Sequence, residues 1–114
     1  MKVLPPSGIG LFVYPKDLYV GTPKLTSFQM YVPPSANLLP ATANLQRANG
    51  TTWTVVGTMY DDGTHGDLIA GDNTFTLELM MNESKVQDLS FRGSIGYKGQ
   101  LKRTFTSPVS VTVR

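Results

Sequence analysis

Apolar residues recur at every second position along most of this chain, in short runs that Gly, Pro, Asn or Asp bring to a stop. Over residues 74–81, Phe75, Leu77, Leu79 and Met81 alternate with Thr74, Thr76 and Glu78, the pattern of a strand with one buried and one wet face. Leu89, Phe91, Gly93, Ile95 and Tyr97 repeat it against Ser90, Arg92, Ser94 and Lys98, and Val109, Val111 and Val113 close the chain in the same way. Over residues 25–32 the core set is Thr26, Phe28, Met30 and Val32. Residues 9–14 read as a first edge strand ended by Pro15, with a short run at 17–20 behind it.

No window carries apolar residues at helical spacing for the length of a surface helix. The closest, 82–89, is short and polar. The expected class is therefore all-β, with seven or eight short strands in a sandwich or a barrel, which the strand pattern alone does not separate. Composition agrees, since 11 Gly and 8 Pro with only 16% charged residues suit short strands and tight turns. At 114 residues the chain can close one core without staples. Residues 1–8, with Pro5-Pro6-Ser7-Gly8, read as a linker or an added N-terminal segment, and 9–114 as a single domain. Met1 reads as an added or internal start, because two prolines interrupt the apolar run that a signal peptide needs.

Asn49-Gly50 between the runs at 41–48 and 51–60 predicts a type I′ hairpin. That turn places Ala43 and Leu45 on one face with Thr54 and Val56, and Trp53, Val55 and Met59 on the other, so a bulge is expected, with Gly57 its natural site.

The chain has no cysteine, which excludes disulfides, thiolate metal sites and thiol nucleophiles. A net charge of +2 points neither to nucleic acid nor to a membrane surface, and no apolar stretch is long enough to span a bilayer.

Half of the acids lie in Asp61-Asp62-Gly63-Thr64-His65-Gly66-Asp67-Leu68-Ile69-Ala70-Gly71-Asp72-Asn73-Thr74-Phe75-Thr76. Asp61, Asp62, Asp67 and Asp72 offer hard oxygens on a glycine-rich backbone, the chemistry that calcium requires, though not at EF-hand spacing. The competing role is turn scaffolding, in which the carboxylates bond nearby backbone amides; Asp-Gly clustering favours it. The segment resembles bacterial extracellular Ig-like or fibronectin-III-like modules that carry a D-D-G-T-x-G-D-x-x-A-G-D-G-x-[YF]-T signature. Val56 to Tyr60, Asn82-Glu83, Tyr97 to Arg103 and Ser107 to Val113 fit the resemblance, which runs from about Leu25 to the end. Asn73 stands where that family usually has Gly, and Asn also tolerates a left-handed backbone. The resemblance implies an all-β, Ig-like (fibronectin-III-like) antiparallel β-sandwich of seven to eight strands and an extracellular, cell-surface or periplasmic location, and no single activity.

His65, the one histidine, has no nucleophile elbow, metal-ligand pair or phosphate loop around it, so no catalytic residue is assigned. Trp53, Tyr31, Tyr60 and Tyr97 could form a platform for sugar rings. Core packing is the default for a lone Trp in such a sandwich, so the deciding feature is whether Trp53 is exposed beside Tyr31 or Tyr60, or buried with Phe28 and Phe91. Lys98, Lys102 and Arg103 read as a solvated strand edge. Asn49-Gly50-Thr51 and Asn82-Glu83-Ser84 fit the glycosylation acceptor pattern, which carries no weight in a bacterial protein.

The expectation is a non-catalytic structural or interaction module, spacer or partner-binding, of a larger secreted or surface bacterial protein. It is monomeric in isolation and has no cofactor beyond the calcium candidate. Its partners would be neighbouring domains of the same polypeptide, or a protein or carbohydrate ligand. The alternative is a carbohydrate-binding sandwich module of an extracellular enzyme or adhesin.

Overall fold

The computed structural model describes residues 9–61, 71 and 73–114. Among them nine strands form two sheets: β1 Gly10–Tyr14, β2 Asp17–Leu18, β3 Lys24–Tyr31, β4 Leu38–Asn49, β5 Thr52–Thr58, β6 Thr74–Met81, β7 Gln87–Tyr97, β8 Thr104–Phe105 and β9 Val109–Val113. The smaller sheet has the order β1-β3-β6 and the larger β2-β9-β7-β4-β5, with β8 beside β7. This is an all-β sandwich. The two strands of only two residues, β2 and β8, take the count past the seven or eight expected. The β2–β9 pairing is parallel; all the other pairings are antiparallel.

The alternating sets meet between the sheets. Thr26, Phe28, Met30 and Val32 point inward from the smaller sheet, and Leu89, Phe91, Ile95, Val111 and Val113 from the larger. Phe28 and Phe91 touch across the gap, ring centroids 4.8 Å apart and tilted by 54°, a favourable offset for aromatic pairs. Gly93 also faces inward. A Cβ there would strike the Met30 thioether and come within 3.2 Å of the Thr106 methyl, so the missing side chain lets the sheets close.

The β4–β5 hairpin differs from expectation in its turn. Asn49 pairs with Thr52, so the two loop residues are Gly50 and Thr51. Of these only Gly50 has positive φ, at 65°, the sign pattern of a II′ turn. The expected bulge is present: Leu45 faces Gly57 while Gln46 faces Val55, leaving Val56 as the extra residue. That shift returns Met59 to the core, its amide donating to Ala43 O at 3.0 Å.

β4 begins earlier than expected and contains Pro40, at a break in its pairing with β7 between Leu39 and Asn44. Proline has no amide to donate, so the ladder needs substitutes. Thr42 provides one: its Oγ1 accepts from Gly96 N–H at 2.7 Å and donates to Leu39 O at 2.6 Å.

Replacing Phe91 by Ala should cost about 3–5 kcal/mol in urea unfolding, as for a packed core ring; a loss under about 1 kcal/mol would mean that this face does not form the core. Gly93→Ala should cost about 1–3 kcal/mol by overpacking against Met30 and Thr106.

Candidate functional site

The acidic segment lies in the chain between β5 of the larger sheet and β6 of the smaller. Asp61 is the one member of its carboxylate set among the described residues; Asp62, Asp67 and Asp72, like His65, lie outside them. Both Asp61 oxygens accept backbone amides: Oδ1 from Gly71 at 3.0 Å and Oδ2 from Asn73 at 2.9 Å. The Asp61 carbonyl accepts from Gly71 as well, at 3.2 Å. Gly71 and Asn73 have φ of 77° and 63°, so Asn takes the left-handed turn that the sequence argument assigned to it. Asp61 thus fastens the far end of the loop to its start, as a scaffolding carboxylate does.

The aromatic residues divide among three environments. Tyr31 lies exposed on the outer face of the smaller sheet, across from Gly10 and in phase with Phe12 and Tyr14, which are 65% and 79% exposed. Tyr60 joins the edge of that sheet through a bridge to Thr76. Tyr97 packs half-buried against the core, and burial pushes its phenol above the ordinary value.

Trp53 lies neither between the sheets nor beside Tyr31 or Tyr60. Phe28 and Phe91 pack against each other without it. The reason is register: Ala48 is opposite Trp53, and Ala48 is out of phase with inward Leu45. The bulge at Val56 follows Trp53, so it corrects Met59 and leaves the indole on the outer face of the larger sheet.

There Trp53 meets Arg92. The guanidinium carbon lies 4.3 Å from the Trp53 ring centroid and 3.8 Å from that of Phe105. Arg92 Nε–H donates to Gln46 Oε1 at 2.8 Å, and partial burial lowers the Arg92 pKa from its ordinary value. Phe105 shares this face because it pairs with outward Ser94. Arg103 reaches the same row, its Nη1 donating to Ser94 Oγ at 3.2 Å and to Thr42 O at 2.6 Å. Arg103 is therefore a staple over the irregular part of β4, in addition to the solvated edge residue expected of it; Lys98 and Lys102 are exposed.

The Arg92 cluster escapes a reading of the sequence alone. Its outward phase is visible in the alternation with Phe91 and Gly93, whereas its neighbours come from β5 and β8, which only cross-strand register brings together. Comparison of the sequence with models of known protein families and with curated proteins returns no match.

Asp61→Ala should lower stability by about 1–3 kcal/mol, chiefly through the lost bond to the Asn73 amide, since Gly71 N–H keeps the Asp61 carbonyl, equally in excess EDTA and in millimolar Ca²⁺. A rise in Tm with calcium that Asp67→Asn abolishes would instead establish an ion among these carboxylates.

Proposed function

We propose that this chain is a non-catalytic Ig-like module, acting as a spacer or partner-binding unit within a larger secreted or cell-surface bacterial protein. The observation that carries this reading is the pairing of the first and last parts of the domain. β2 and β9 run parallel, joined by Thr112 N–H to Lys16 O at 2.9 Å, Arg114 N–H to Leu18 O at 2.8 Å and Val20 N–H to Arg114 O at 2.9 Å. Because β1 leads into β2 in the same direction, β1 begins at one pole and β9 finishes at the other. Tension along a polypeptide continuing from both would load these bonds together in shear, rather than opening them one at a time. That is a suitable geometry for a module in series.

A carbohydrate-binding role is the second reading, supported by the position of Trp53 on the outer face. Calcium remains a candidate ligand only for the acidic segment as a whole, since Asp61 already serves two amides.

Stretching the domain between inert handles in a force spectrometer tests the first reading. Resistance should be high, and Thr112→Pro, which removes the donor to Lys16, should lower the unfolding force and raise the rate of forced unfolding. Extension at low force, indifferent to Thr112→Pro in a variant that still folds, would remove the basis for a load-bearing spacer.

A further inference from the structure

We propose that the outer face of the larger sheet binds an acidic polysaccharide, with the Arg92 guanidinium as the group that receives its carboxylates. This deepens the carbohydrate reading by naming the site and the ligand class. Arg92 is held on three sides: Trp53 on one ring face at 4.3 Å, Phe105 at 3.8 Å, and Gln46 on Nε at 2.8 Å. Those contacts use the flat faces and one N–H, leaving the Nη1 and Nη2 donors for an oxygen pair. A guanidinium fixed in this way loses little further rotamer freedom on binding, and its planar fork matches a carboxylate in bidentate geometry.

Charge on this face favours an anion. Arg103 lies one outward row further along β7, beside Ser94, and the exposed Lys98 and Lys102 flank the turn leading to it. Among the described residues of β7 the only carboxylate is Asp88, two outward steps from Arg92 in the other direction, roughly 13 Å at the rise of a strand.

The form of the surface favours a sugar over a peptide. Strand β4 lies between β7 and β5, so around Arg92 and Gln46 the face offers side chains, and the free ladder of this sheet runs along the outer edge of β5. What it offers is an apolar ring next to a cation: Phe105, 40% exposed, against Arg92. A uronic acid unit carries the complementary pair, a pyranose face and a carboxylate on the same ring.

The probe is polygalacturonate, titrated against the folded domain by calorimetry and followed by affinity electrophoresis. Its methyl ester, neutral xylan and polyglutamate serve as comparisons. Polygalacturonate should bind, with affinity falling as salt is raised, and esterification should abolish the interaction. Arg92→Gln and Arg92→Lys should each weaken it by about tenfold or more, the lysine retaining charge but not the fork. Phe105→Leu, at the exposed β8, should weaken it by several-fold with Tm little changed. Wild-type affinity in Arg92→Lys, or equal binding of polyglutamate, would overturn the site as described. Binding of xylan but not polygalacturonate would overturn this inference and spare the carbohydrate reading, and binding of neither would end both.

Discussion

The contact between Phe28 and Phe91 ties the sandwich together. One ring comes from the centre of the smaller sheet and one from the centre of the larger, and their 4.8 Å separation fixes how closely the sheets approach. At that approach the space opposite Met30 has no room for a Cβ, which makes Gly93 part of the same arrangement. Around the pair the branched and sulfur-containing side chains complete the layer: Ile9, Leu45, Met59, Ile95 and Val111 are all buried. Two sheets that meet through rings rather than through a tryptophan leave the single indole available elsewhere.

The irregularities of β4 and β5 decide which side chains face outward. Alternation alone would send Met59 to solvent, and one extra residue at Val56 reverses this. On β4, Pro40 interrupts the ladder, and the displaced bonds are taken up by Thr42 and by Arg103 from the far side of β7. A break in backbone pairing thus draws a cationic side chain onto the sheet face. The polar character of that face follows from the repair of the strand beneath it.

The inward phases of β3, β6, β7 and β9 were legible in the sequence because they depend only on period-two alternation, and Thr26, Phe28, Met30, Phe75, Leu89, Phe91 and Val111 all lie where that pattern puts them. The bulge near Gly57 was legible too, since without it Leu45 and Met59 could not share a face. Trp53 was not. Its direction depends on where the bulge falls: a two-residue turn at Asn49-Gly50 or at Gly50-Thr51 puts it out of phase with Leu45 alike, and the bulge at Val56, beyond Trp53, leaves it there, whereas a bulge nearer the turn would have turned the indole inward. The Arg92 cluster was hidden for a related reason: β8 is two residues long, and nothing in a two-residue strand announces that Phe105 pairs with Ser94. Of the acidic segment, the left-handed backbone at Asn73 was foreseeable from residue type. That Asp61 reaches across to Gly71 and Asn73 was not, because loop closure is a long-range event.

Arg92 resolves a conflict that the fold creates for itself. Once register has placed Trp53 and Phe105 on a solvent face, two aromatic surfaces there invite non-specific association. A guanidinium laid between them covers part of each while remaining hydrated at its outer edge, which an aliphatic side chain could not do. The same placement removes most of the arginine's conformational freedom, and Gln46 fixes its rotation about the remaining axis. Covering the rings and presenting a fork are therefore one arrangement viewed from its two sides. A lysine could keep the charge over the rings, but it has no plane to stack and no paired donors to present, so the choice of arginine at position 92 follows from both demands.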